Sequence, residues 1–141
     1  MQSLTLADLL AQHKGKAVYI NFWASWCVAC REDHRADSAA KAYLADRGVV
    51  QLYFSLDKPK SEAAWRKATQ EDSITVNQYL VEGDLSSLIV KTFGITSIPR
   101  HLFLDKEHHI RSIDAVRPSD YHLGNLKMSV EPVVGKVVRF N

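Results

Sequence analysis

Ala17-Val18-Tyr19-Ile20-Asn21-Phe22-Trp23-Ala24-Ser25-Trp26-Cys27-Val28-Ala29-Cys30 is the stretch on which the fold turns. Its first seven residues, β-branched and aromatic, predict a buried strand that runs directly into two cysteines. If a helix starts at the cysteines, the free N–H groups of its first turn favour a negatively charged sulfur. The spacing sets the second sulfur on the same side of that turn, within reach of a mixed disulfide formed by the first. Cys27, at the more exposed end, is expected to attack, and Cys30, one turn inward, to resolve. A helix terminus supplies about 0.3–1 kcal/mol, whereas one pKa unit corresponds to about 1.36 kcal/mol. The dipole alone therefore cannot carry a thiol from about 8.5 to the roughly 3.5–7.5 found in such motifs. The remainder is expected from a hydrogen bond of the Cys30 thiol and from a neighbouring cation. Arg31, His34, Arg35 and Arg100 are the candidates, each by default a solvated charge.

The surrounding composition narrows the chemistry. With 141 residues, of which 46% are hydrophobic, the chain is expected to form one compact domain over 1–141. Its 18 basic and 16 acidic residues are spread along the chain, so no basic stripe points to nucleic acid or anionic lipid. No apolar run approaches the roughly 20 residues of a membrane span, and Met1 to Asp8 lacks the regions of a signal peptide. Two cysteines this close cannot staple distant parts of a fold, which leaves a redox pair, a metal pair or an inert buried pair. Zinc is disfavoured because there is no second cysteine pair, and His13, His34, His101, His108, His109 and His122 do not complete a ligand set. No metal or cofactor is expected.

Outward from the motif, Thr5 can cap a helix over Leu6 to His13 that stops at Gly15. Arg31 to Arg47 favours one helix, with Ala36, Ala39, Ala40, Tyr43 and Leu44 as its apolar stripe and Gly48 as its end. Val49 to Leu56 predicts a second buried strand. Ser61 to Glu71 predicts a helix with Ala64, Trp65 and Ala68 on one face. Another helix is expected from an Asp84 cap through Leu85, Leu88, Ile89 and Phe93 to Gly94. His101 to Leu104 and Ile110 to Ala115 predict strands joined by a polar turn, and a last helix is expected from Asp120. The tail from 132, with Val133 to Asn141 fitting no helix pattern, is expected as an edge strand or loosely held. Long helical crossovers favour parallel pairing and the short turn antiparallel pairing, so the class is α/β, a mixed sheet flanked by helices on both faces.

The segment Asn21 through Cys30 resembles the thioredoxin superfamily, and within it the extracytoplasmic TlpA/ResA-like branch. A second matching element is Phe93-Gly94-Ile95-Thr96-Ser97-Ile98-Pro99-Arg100, followed by the strand to Leu104-Asp105. The resemblance spans about Thr5 to Asp120. It implies the thioredoxin fold, a cis peptide bond at Ile98-Pro99 facing the cysteines, and main-chain recognition of a substrate segment by Ile98. It also implies a thiol-disulfide oxidoreductase of the cell envelope that acts on disulfide-containing proteins and is fed by a thiol electron donor. The absence of histidine at Val28 and Ala29 leans toward a reductant. Asn21 stands where thioredoxin carries a buried aspartate, and this branch instead places an acid at the position of Asp33. Asp33 is therefore either the proton carrier for Cys30 or a first-turn acid complementing the helix dipole. Ala29 and Arg35 stand where many relatives carry proline.

Trp23 and Trp65 are expected in the core, Trp26 as an apolar wall for a partner, and His108 and His109 as solvated. Two other readings remain. A peroxiredoxin-like peroxidase would require threonine at the position of Ala24. A binding module of this fold would dock partners without turnover, or carry copper, although copper carriers typically space their cysteines one residue wider.

Overall fold

The computed structural model of the chain describes residues 5–81 and 91–134. At its centre lies β1 (Val18–Trp23), every residue of which is buried. Parallel to it runs β2 (Val50–Ser55), in register from Val18 opposite Val50 to Trp23 opposite Ser55. On the other side β4 (Arg100–Leu104) is antiparallel, with Asn21 opposite His101. The edges are β3 (Gln78–Leu80), parallel to β2, and β5 (Ile110–Ser112), antiparallel to β4, giving the order β3-β2-β1-β4-β5. This is the mixed sheet that the crossover lengths predict, in the thioredoxin fold that the resemblance implies.

Strand alternation divides the core between the two faces. Val18, Ile20 and Phe22 meet Leu52, Phe54, Leu102 and Leu104 on one face, where Leu9 of α1 (Leu6–Ala11) and Ile95 also pack. Tyr19 and Phe103 face the opposite way, toward Ala40, Tyr43 and Leu44 of α3 (Ser38–Asp46) and Leu126, Val130 and Val134 of α5 (Leu123–Val134). A third cluster at the C-terminal end of β1 joins Trp23, Ala24, Cys27 and Cys30 to Tyr53 and to Trp65 and Ala68 of α4 (Glu62–Glu71). Thr5 caps α1 through a reciprocal pair of hydrogen bonds with Asp8. Among the described residues no helix is long and apolar enough to cross a membrane.

The structure corrects four expectations. The helix predicted over Arg31 to Arg47 is two helices, α2 (Val28–Arg35) and α3, broken at Ala36-Asp37. No proline causes the break. Asp120 fills it instead: its N–H donates to the Ala36 carbonyl at 2.6 Å, and its Oδ1 accepts from the Ala40 N–H at 3.0 Å. Backbone groups that a continuous helix would pair internally are thereby satisfied from outside. The strand β3 was not anticipated, although Ile74 to Val81 is rich in strand-forming residues. Asn77, at φ +56°, turns the chain into it and donates from Nδ2 to the Gln51 carbonyl at 3.1 Å. β5 stops at Ser112 rather than Ala115, since the Ala115 N–H returns to the His101 carbonyl at 2.9 Å. Val133 and Val134 continue α5, because Leu126, Val130 and Val134 form one buried stripe with a spacing of four. The remaining tail, 135–141, and the expected Asp84, Leu85, Leu88 and Ile89 lie outside the described residues. Residues 91–93 are helical and end at Gly94, φ +61°, where a stop was expected.

Candidate active site

Cys27 is the N-cap of α2, and its Sγ accepts a hydrogen bond from the Cys30 N–H at 3.2 Å. The strand therefore delivers this sulfur onto the free amides of a helix start. Cys27 and Cys30 are joined as a disulfide with their Cα atoms 5.3 Å apart. Cys27 is less exposed than expected, at 6% against 1% for Cys30, because it packs in the third core cluster. The open surface beside it belongs to Trp26 and Val28, 69% and 71% exposed. Trp23 and Trp65 are buried, as expected. The Ile98-Pro99 bond is cis, Ile98 packs against the cysteine cluster, and Pro99 lines the same cavity as Cys30.

Asp57, which the sequence reading passed over, holds the loop that carries Cys27. It accepts from the Ser25 N–H at 2.9 Å, from Ser25 Oγ at 2.7 Å and from Ser55 Oγ at 2.6 Å. Its place follows from register: β1 and β2 are parallel with Trp23 opposite Ser55, so the residues two further on, Ser25 and Asp57, meet at the carboxyl ends of the strands. Such a pairing is readable from sequence once both strand ends are known. From the other side Arg31 Nη1 donates to the Ser25 carbonyl at 3.5 Å.

The four candidates are each engaged with a carboxylate. Arg31 and Arg35 place Nε on Asp72, each at 3.1 Å, and His34 Nδ1 lies 3.4 Å from the same carboxylate, whose side chain is fully buried. Burial pushes the Asp72 carboxyl up, but the hydrogen bonds and charge of Arg31, then Arg35, outweigh it and hold the group below the usual range. Arg100 donates to the Ile113 carbonyl at 3.2 Å and pairs with Asp114 at 3.8 Å. The guanidinium that does reach the motif is Arg117, with Nε on Asp33 Oδ2 at 2.6 Å and Nη2 on the Ala29 carbonyl at 3.3 Å. No local pattern marks Arg117 in the sequence, since its partners lie more than eighty residues earlier. Asp33 is buried and lies beyond the first turn of α2, which removes the reading of it as a first-turn surface acid.

Behind Cys30 is a cavity of about 10 Å³, room for about one water molecule. Cys30, Asp33, His34 and Asp37 all line it and all are buried. Cys30, Asp33 and His34, spaced i, i+3 and i+4, form the inward stripe of α2, occupied by a thiol, an acid and an imidazole, and Asp37 joins them from beyond the end of that helix. That substitution of polar for apolar residues is a signal the sequence carries. Across the cavity stand Asn21, whose Nδ2 donates to Gln51 Oε1 at 3.4 Å, and His101. Burial pushes His34 down to about 4, against the pull of Asp72, and His101 down to about 3. Burial pushes Asp37 up to about 6, although Lys41 Nζ lies 3.5 Å away. Outside the site, His109 is exposed as expected, while His108 is not simply solvated: its Nε2–H is shared between the His13 and Lys16 carbonyls at 3.1 and 3.0 Å.

Comparison with known proteins agrees with this geometry. The thiol-disulfide oxidoreductase ResA of Bacillus thuringiensis subsp. konkukian is 26% identical over 98 residues, covering 70% of this chain and 54% of that protein. The thiol:disulfide interchange protein DsbE of Pseudomonas fluorescens biotype C is 30% identical over 111 residues, covering 78% and 55%. The chain thus spans about half the length of the curated relatives it matches. The thioredoxin domain of a thiol-disulfide oxidoreductase from Bacteroides vulgatus superposes with a TM-score of 0.73 at 26% identity, covering 86% of this chain and 84% of that one. With the AhpC/TSA family model matching residues 1–113, and a paired Cys27 and Cys30 on a thioredoxin-fold sheet, the chain belongs to the AhpC/TSA thioredoxin-like family.

Proposed function

We propose that the chain is a thiol-disulfide oxidoreductase that reduces disulfides in partner proteins of the cell envelope. The observation that carries this reading is the Cys27–Cys30 pair at a helix N-terminus, with cis-Pro99 alongside and the exposed side chains of Trp26 and Val28 framing Cys27. In the reduced form the Cys27 thiolate attacks a substrate disulfide, whose far sulfur leaves as a thiolate. Cys30 then gives up its proton to a neighbouring carboxylate, assigned to Asp33, and attacks the Cys27 sulfur. The second substrate thiolate leaves, and the Cys27–Cys30 disulfide forms. Two electrons pass to the substrate, and a thiol donor returns the pair to the dithiol. Trp26 supplies the apolar wall for the partner, and the main chain at Ile98 pairs with it in strand fashion. A peroxidase reading is disfavoured by Ala24, fully buried and without the hydroxyl that reading requires.

A Cys30→Ser variant tests the division of labour. It is expected to accumulate mixed disulfides between Cys27 and partner proteins, while Cys27→Ser accumulates none, as read by non-reducing electrophoresis and mass spectrometry. Adducts on the Cys27→Ser variant would reverse the roles. Adducts on neither, with reducible partners present, would leave a docking module, and consumption of peroxide by the parent protein would favour the peroxidase.

A further inference from the structure

We infer that Asp37 is the buried group on which the Cys30 proton comes to rest when the mixed disulfide is resolved, reached through the cavity behind Cys30 with Asp33 as the intermediate carboxylate. The inference rests on the reading of Cys30 as the resolving thiol and adds a residue to it. Cys30, Asp33 and Asp37 border one cavity about the size of a water molecule. Asp37 is brought there by the break between α2 and α3, and no side-chain cap bond to α3 occupies it. Its side chain, only 9% exposed, makes one ion pair among the described residues, with Lys41.

The other groups around the cavity are poorly suited to hold that proton. His34 and His101 are held neutral well below neutral pH, and burial raises the Tyr53 hydroxyl so that it stays protonated. Asp33 is bound to Arg117 at 2.6 Å. Asp37, pushed up to about 6, titrates close to the pH at which a proton acceptor works best. The groups that face it are Lys41 on its own helix, Asp120 from the turn at 120–122, Tyr53 of β2, Asp33 and His34 of α2 and His101 of β4. Of these, Lys41 favours the charged form, whereas Asp120 and burial oppose it. In the resolving step the Cys30 S–H bond breaks, its proton passes to the carboxylate, the new S–S bond forms with Cys27, and the substrate sulfur leaves with the electron pair of the broken bond.

Single turnover of the reduced protein with dithiobis(nitrobenzoate) separates the two steps, because one coloured thiolate is released on formation of the mixed disulfide and the second on its resolution. For the parent, resolution is expected to rise with pH along an acid limb. Asp37→Asn is expected to abolish that limb and slow resolution several-fold near neutral pH, with formation unchanged. Lys41→Met removes the cation that favours the carboxylate, so the limb should move to higher pH; in the Asp37→Asn background the same change should move nothing. A profile for Asp37→Asn that superposes on the parent, or a limb that still responds to Lys41→Met without Asp37, overturns the inference. Should Asp37→Asn fail to fold, Lys41→Met alone decides, and an unmoved limb refutes the role. Adduct trapping by Cys30→Ser is independent of Asp37, so its loss would sink the parent reading, whereas its persistence beside a silent Asp37→Asn sinks only this one.

Discussion

At the scale of single residues the site depends on side chains that hold the cysteine loop rather than on the cysteines alone. Asp57 is buried, forms no ion pair among the described residues, and is satisfied by one N–H and two hydroxyl groups. Replacing it with alanine leaves the buried Ser55 hydroxyl and the part-buried Ser25 N–H without their acceptor. A buried polar group stranded in this way costs about 1–3 kcal/mol. Asp57→Ala is therefore expected to lower the urea midpoint of the oxidised protein by an amount corresponding to that range. Ser25→Ala, which leaves the backbone bond in place, should cost less. Equal losses in the two variants would mean that the hydroxyl, and not the amide, is the important donor.

Among the elements, the broken helix decides where the polar stripe ends and where α3 begins. Asp120 bridges the break by its main chain to Ala36 and by its carboxylate to Ala40, in the manner of a cap supplied from a distant part of the chain. Asp120→Ala keeps the first bond and removes the second. The expected loss is about 0.5–2 kcal/mol, the range for a lost helix cap, measured by thermal or urea unfolding. No change in stability would show that the break is set by packing of Ala40 and Leu44 against the sheet alone. The elements most legible in advance were those with a local cause: β1 and β2 from apolar runs rich in β-branched and aromatic residues, α1 from its Thr5 cap, and α4 from the face that buries Trp65 and Ala68. β3 escaped because three residues carry too short a pattern, and the split of α2 from α3 escaped because Asp120 lies some eighty positions away.

For the molecule as a whole, two buried imidazoles make stability depend on pH. The unfolded chain takes up protons on His34 and His101 below about pH 6.5, while the folded chain resists until about 4 and about 3. Stability present above pH 6.5 is therefore lost as the pH falls through that window. Asp37 works the other way, since its folded value of about 6 lies above the ordinary 3.8 and favours the folded chain as the pH falls between them. Two groups oppose one, and Asp72, held low by its cations, adds a further loss at the acid end. Unfolding free energy is expected to drop by on the order of 2 kcal/mol between pH 7 and about pH 4.5; an equal or higher value at the lower pH would show that these imidazoles are not held neutral. Local patterns were enough for the buried strands β1 and β2, the helix start at the cysteines and the resemblance that implies a cis bond at Pro99, because each rests on a few neighbouring residues. It took the folded chain to show that Arg31, His34 and Arg35 serve Asp72, that Arg117 reaches Asp33, that Asp57 grips Ser25, and that Asp37 shares a cavity with Cys30. Those pairings join residues far apart in the chain, and which cation finds which carboxylate is settled by the register of the sheet and the packing of helices upon it.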